Sequence, residues 1–246
     1  MKKPEGKLQE LVTRLQQACG DNLVSVVLYG SAAREDFHEE YSDVNLLIVL
    51  QHLQASSFAP ISAVLHWWSR EEKLRPPMIM TLEELRESAD VFAIELLDIQ
   101  RSHRTLFGQD VVASIDVPMN LHRVEVEHEL RTTLLRLRHH LLLSPENEED
   151  LRAVLAKSIT AVLTLFRHAL IAVGKNPPPE KAQVLEQVAE NFGIEARPLQ
   201  AILELRNKGL HSGDLRELYH SYMGAIQRVA HELDTQLPKR HWQKVH

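Results

Sequence analysis

The stretch that decides the fold runs from Val26 to Leu50 and reads VVLYGSAAREDFHEEYSDVNLLIVL. It opens in an apolar, β-branched run, turns at Gly30-Ser31, crosses a charged spacer, and closes in a second apolar run behind Ser42-Asp43-Val44-Asn45. The two runs, Leu23–Tyr29 and Val44–Leu50, predict buried strands. A glycine at a strand's end permits the tight turn that brings backbone N–H groups against an anion, and Ser31 adds a hydroxyl donor. Arg34 follows about one helical turn later, a spacing that suits phosphate contact. Side chains alternate along a strand, so residues 43 and 45 share a face. Two acids there would hold divalent ions and a triphosphate for in-line attack. Asp43 supplies the first, but Asn45 places an uncharged amide at the second.

Working outward, 246 residues suffice for one large or two modest domains with real cores. The net charge of -6 argues against broad, non-specific nucleic-acid binding, which needs excess Lys and Arg. The single cysteine, Cys19, forms no internal disulfide and fits a reducing cytoplasm. The N-terminal MKKPEGKLQELVTRL lacks an apolar signal core. The most apolar stretch, Ile159 to Val173, is interrupted by Arg167 and His168 and is expected to be too short and too charged to span a membrane. The 14 histidines are scattered without zinc spacing, and His122 and His128 are too far apart for adjacent turns.

Leu8, Leu11, Leu15 and Ala18 share one helical face, which predicts an opening amphipathic helix. Ile61 to Leu74 reads as a helix containing Trp67 and Trp68, broken by Pro76-Pro77. Met78–Met80 reads as a short strand, and Thr81 with Glu84 forms a capping box for a helix to about Ser88. Val91–Ile99 reads as a third strong strand, and His103–Phe107 as a short helix stopped by Gly108. On that reading Glu95 is the third carboxylate, metal ligand or base, with Asp98 on the opposite strand face as second choice. After Pro118 the pattern becomes helical: a stripe at Leu130, Leu134, Leu137 and Leu141, then Leu151–Val173, Lys181–Asn191, Pro198–Lys208 and Leu215–Leu237. The expected organisation is an α+β domain over 1–117, with a mixed sheet and helices, and an all-α helical bundle over 118–246.

The run of apolar strand, Gly30, Ser31, spacer and Asp43 resembles the DNA polymerase β-like nucleotidyltransferase superfamily. GSAARE is most similar to the small bacterial members, the aminoglycoside enzymes among them, with Glu35 standing where glycine is usual. IELLDI followed by HRTLFGQDV resembles the close of such a domain. The resemblance covers residues 22–112. It implies a nucleotidyltransferase fold and transfer of NMP from Mg-NTP, ATP first, to a hydroxyl of a small-molecule or protein acceptor. Gly30, Ser31 and Arg34 would face the phosphates. Asp43, Asn45 and Glu95 would surround the Mg²⁺, with Asn45 weakening the metal shell.

In such enzymes a helical bundle walls the acceptor pocket. A second resemblance lies in LELRNKGLHSGD, where Arg206, Asn207 and His211 match the Arg-polar-x-x-x-His pattern of HEPN bundles. It implies a degenerate nucleotidyltransferase scaffold with a module acting on RNA or a protein partner, usually as a homodimer. The tyrosine that some modified members carry after that histidine is absent here; Tyr219 and Tyr222 come later.

Overall fold

The computed structural model describes residues 5–33, 44–143, 147–209 and 213–235. They divide into two compact units, Met1–Pro118 and Met119–His246.

In the first unit, β1 (Leu23–Tyr29) is a central strand of a four-stranded sheet ordered β3-β2-β1-β4. It runs antiparallel to β2 (Asn45–Leu50) on one edge and to β4 (His103–Gly108) on the other, while β2 runs parallel to β3 (Met78–Thr81). The sheet is therefore mixed. Alternation splits its side chains into two apolar clusters. Val26, Leu28, Leu46, Ile48 and Leu50 pack with α1 (Glu5–Cys19) and α2 (Ala55–His66). Val27, Leu47 and Val49 pack with α3 (Leu82–Glu87) and α4 (Ala93–Arg101). Burial on both faces explains why β1 and β2 read as near-continuous apolar runs rather than alternating ones.

Three expectations change. Helix α2 ends at His66 and continues as a π-helical turn, Trp67–Glu71, and Lys73 beyond it has a left-handed φ of 56°. Val91–Ile99 is not a strand: α4 takes up the run, with Ala93, Leu96 and Ile99 buried at three-residue spacing and Glu95 and Asp98 between them. His103–Phe107 is not a helix but most of β4, whose Thr-Leu-Phe suits a half-buried strand. A short apolar run fits either structure, and here the three-residue period of the buried positions decided for the helix. The Thr81–Glu84 capping box forms as expected, with Glu84 N–H bonding Thr81 Oγ1 at 3.1 Å and Thr81 N–H bonding Glu84 Oε2 at 2.7 Å.

The β1–β4 pairing carries a bulge between Val26 and Val27. Ser25 is fully buried there, and its hydroxyl donates to the Gln109 carbonyl at 2.7 Å. Gly108, paired with Ser25, has φ +76°, and a Cβ on it would lie 2.0 Å from the Val24 carbonyl oxygen.

The second unit is a bundle of α5 (Met119–Leu143), α6 (Glu148–Ala172), α7 (Lys181–Phe192), α8 (Ala196–Lys208) and α9 (Leu215–Thr235). Helix α6 packs against all four others. It is longer than its apolar core suggested. By length and composition alone it could cross a membrane, with mean hydropathy 1.5 over its most apolar window, but 56% of that window is buried inside the bundle. Polar side chains pin the helices together: Tyr219 Oη donates to the Leu137 carbonyl at 2.9 Å, Tyr222 Oη meets Ser158 Oγ at 3.1 Å, and the fully buried His122 Nε2 meets His168 Nδ1 at 2.9 Å. Burial pushes the Tyr219 phenol up to about 12 and the Tyr222 phenol higher still.

Gly108→Ala combines a left-handed φ with a backbone clash. It is expected to cost roughly 3 kcal/mol of stability, read as a lower urea midpoint.

Candidate functional site

The site is built at the C-terminal end of β1. Gly30 leaves the strand with φ +76°, a conformation that disfavours any side chain. Its N–H donates to the Ser102 carbonyl at 2.9 Å, and Ser102 Oγ donates back to the Gly30 carbonyl at 3.0 Å. Both backbone groups of Gly30 are thus tied to the residue that precedes β4. The Gly30 amide is therefore already committed and is not a donor for an anion at this corner.

Asn45 lies opposite Tyr29 in the β1–β2 register. A Cβ on Gly30 would meet Asn45 Nδ2 at 3.3 Å, so the amide abuts the corner. Residue 45 shares its face with Leu47 and Val49, the face covered by α3 and α4. The other end of the amide is occupied by a cation: Arg75 Nη1 donates to Asn45 Oδ1 at 3.2 Å.

Arg75 is positioned from behind. Its carbonyl accepts the indole N–H of Trp68 at 2.9 Å, and Trp68 is wholly buried. Pro76 and Pro77 follow and fix the backbone leading into β3. Both tryptophans pack in the α1–α2 cluster, and Arg14 stacks on Trp67 with its guanidinium carbon 4.2 Å from the ring centroid.

The strand beside β2 brings no acid to this face. Met78 and Met80 of β3 pack against the α3–α4 cluster, and Ile79 packs on the opposite side. Acids come instead from α4. Glu95 is exposed, and Asp98 follows three residues on, so the two lie on one flank of a helix rather than on opposite faces of a strand. Their charges reach the Tyr29 hydroxyl. Burial pushes that phenol above its ordinary value, Arg75 pulls it down, and Glu95 and Asp98 raise it.

Arg34, Asp43 and His211 lie outside the described residues. Among the described residues no group of three His, Cys, Asp or Glu is placed to hold a metal ion. Among the described residues the donor set fits a two-ion centre poorly: an amide at 45 already holding a guanidinium, methionines on β3, and acids on a helix. Of the helical-motif residues, Arg206 Nη1 donates to the Ala156 carbonyl at 3.0 Å, Asn207 is exposed, and Gly209 ends α8 in a left-handed conformation. Helix α8 thus ends two residues after Arg206.

Sequence reasoning missed Arg75, Ser102 and the contact between His103 and Asp110. His103 faces Tyr29 across β1–β4. Its Nδ1 meets the Ile99 carbonyl at 3.0 Å and its Nε2 meets Asp110 Oδ1 at 3.1 Å. That hydrogen bond holds the Asp110 carboxyl below its usual value.

No family model matches the sequence, and no curated protein matches it either. Among solved structures the chain is similar to spectinomycin adenyltransferase AAD(9) from Enterococcus faecialis, crystallised with ATP and spectinomycin. The TM-score is 0.54 at 16% identity, over 90% of this chain and 99% of that one. At that identity the likeness establishes the fold: an α+β nucleotidyltransferase-type unit with a mixed sheet, followed by an all-α bundle.

A carboxyl held low stabilises the fold above its unfolded value, about 3.9, and loses that contribution as pH falls through its folded value. Asp110→Asn is expected to flatten the acid limb of the urea midpoint plotted from about pH 6 to about pH 2. The effect is small because the carboxylate is exposed.

Proposed function

We propose that this chain is a nucleotide-binding protein of the nucleotidyltransferase fold, with ATP as its first ligand, and that its site is poorly equipped for two-metal nucleotidyl transfer. The observation that carries this reading is the contact of Arg75 with Asn45 beside the Gly30 corner. It puts a positive side chain and an uncharged amide where two-metal transfer needs an acid. In this reading the Gly30-Ser31 turn faces the phosphates, and Arg34, three residues on in the sequence, adds a cation. Asp43 is the carboxylate the sequence offers two residues before Asn45, and Glu95 on α4 is the other acid of this reading. Transfer that depends on positioning and on neutralising phosphate charge suffers most from such a loss.

A second reading is favoured by the extent of the fold likeness, which reaches through both units to a protein solved with ATP and a small-molecule acceptor. In it the chain transfers NMP to a hydroxyl of a small molecule, and the helical unit binds the acceptor. The Mg²⁺ implied by the resemblance belongs to this reading.

Equilibrium dialysis against ATP and GTP tests the first reading. Saturable binding with a Kd below about 1 mM is expected, a free energy stronger than about -4 kcal/mol. No binding of either nucleotide at that concentration overturns it. Incubation with α-labelled ATP and hydroxylated acceptors, aminocyclitols first, tests the second: label on the acceptor establishes transfer. RNA cleavage that disappears in His211→Ala would bring forward the HEPN-like module instead.

A further inference from the structure

We propose that Arg75 is a fixed cation in place of a second metal ion, and that the site holds nucleoside triphosphate by its phosphates without a divalent metal. The proposal rests on the nucleotide-binding reading above and names how the phosphates are gripped.

The geometry begins with one oxygen. Asn45 Oδ1 is the group that strand β2 offers at the corner, and it accepts from Arg75 Nη1 at 3.2 Å. A divalent cation on the same oxygen would lie against a guanidinium, and like charges at that separation repel strongly. Arginine and metal therefore compete for one place, and the arginine is tethered there. Its carbonyl is bonded to buried Trp68, Lys73 two residues before it takes a left-handed φ of 56°, and two prolines follow.

Charge decides what the arginine is for. An aspartate at 45 would pair with Arg75 and neutralise it. An amide orients the guanidinium but leaves its full charge. The side chain is exposed, and among the described residues one of its five donors goes to Asn45. The planar fork matches two phosphate oxygens at once. Glu95 and Asp98 project negative potential onto Tyr29, which borders the corner, and a triphosphate approaching it meets that field. Arg75 acts on the Tyr29 phenol in the opposite direction to those two acids, so it lies close enough to the corner for its charge to be felt there. Met78 and Met80 on the neighbouring strand bring no ligand for a dication.

The test is titration calorimetry of ATP into the full chain, once with EDTA and once with excess Mg²⁺. Native protein is expected to bind ATP in EDTA, with an affinity within about threefold of that in Mg²⁺. Arg75→Ala should lose about tenfold or more in EDTA, and Arg75→Lys should recover only part, because an ammonium lacks the fork. Asn45→Asp alone should also weaken metal-free binding, by pairing with the arginine. The double variant Asn45→Asp/Arg75→Ala should bind only with Mg²⁺. Arg75 is exposed, so these variants are expected to keep native circular dichroism and melting. If native binding requires Mg²⁺ and Arg75→Ala leaves it unchanged, the arginine proposal is overturned while the nucleotide reading stands. If native protein binds neither ATP nor GTP under either condition, both are overturned.

Discussion

Strand β1 is hydrogen-bonded along both edges and buried on both faces, which leaves its chain little freedom at either end. At the N-terminal end, buried Ser25 and the bulge require Gly108 to pass directly under the Val24 carbonyl. At the C-terminal end, Gly30 is clasped through both backbone groups by Ser102, the residue that turns α4 into β4. Strand β4 thus fixes the corner as well as the sheet. The position of Asn45 follows, because the β1–β2 register sets it opposite Tyr29. The site's geometry is a consequence of sheet pairing, and this is why a rigid, charged contact can be held at a surface that also admits solvent.

The same logic separates the two tryptophans from a ligand-binding role. Trp67 and Trp68 lie in the cluster beneath the sheet, on the α1–α2 side, and both are buried. Trp68 acts at a distance, through one indole hydrogen bond to the backbone of Arg75. A buried indole must find an acceptor, and here the acceptor is the carbonyl of the residue that reaches the corner. The requirement to satisfy a core side chain thereby sets the orientation of a surface cation.

Much of the fold was legible because the strongest signals were local. Leu23–Tyr29 and Val44–Leu50 are long, β-branched runs with turn residues between them, and they form adjacent strands. The capping box at Thr81 and the stripe at Leu130, Leu134 and Leu137 needed only neighbouring residues. The exchange of α4 and β4 has a different origin. Both segments are nine residues or fewer, and their state is set by what they pack on: α4 lays Ala93, Leu96 and Ile99 on the sheet, while β4 completes the free edge of β1. The corner could be read from Gly30-Ser31, but Arg75 could not. Its contact spans 30 residues and depends on the parallel β2–β3 pairing, which brings the chain before Met78 beside the start of β2. His122 and His168 are hidden for the same reason, meeting only when α5 and α6 pack.

Asn45 and Arg75 are best understood as one unit. Taken alone, an amide in place of an acid looks like simple decay of a metal shell. Decay would leave a neutral gap open to solvent, with nothing else adjusted. Instead the amide oxygen has a cationic donor, and that donor's backbone is anchored by a buried side chain and followed by two prolines. Residues in direct contact do not contribute independently. Restoring the acid without removing the arginine yields an ion pair, and removing the arginine without restoring the acid leaves an amide facing water. In the proposed reading neither single change recreates a metal site. In the proposed reading the positive charge at this corner is covalently tethered rather than diffusible, and a tethered charge requires no metal from solution.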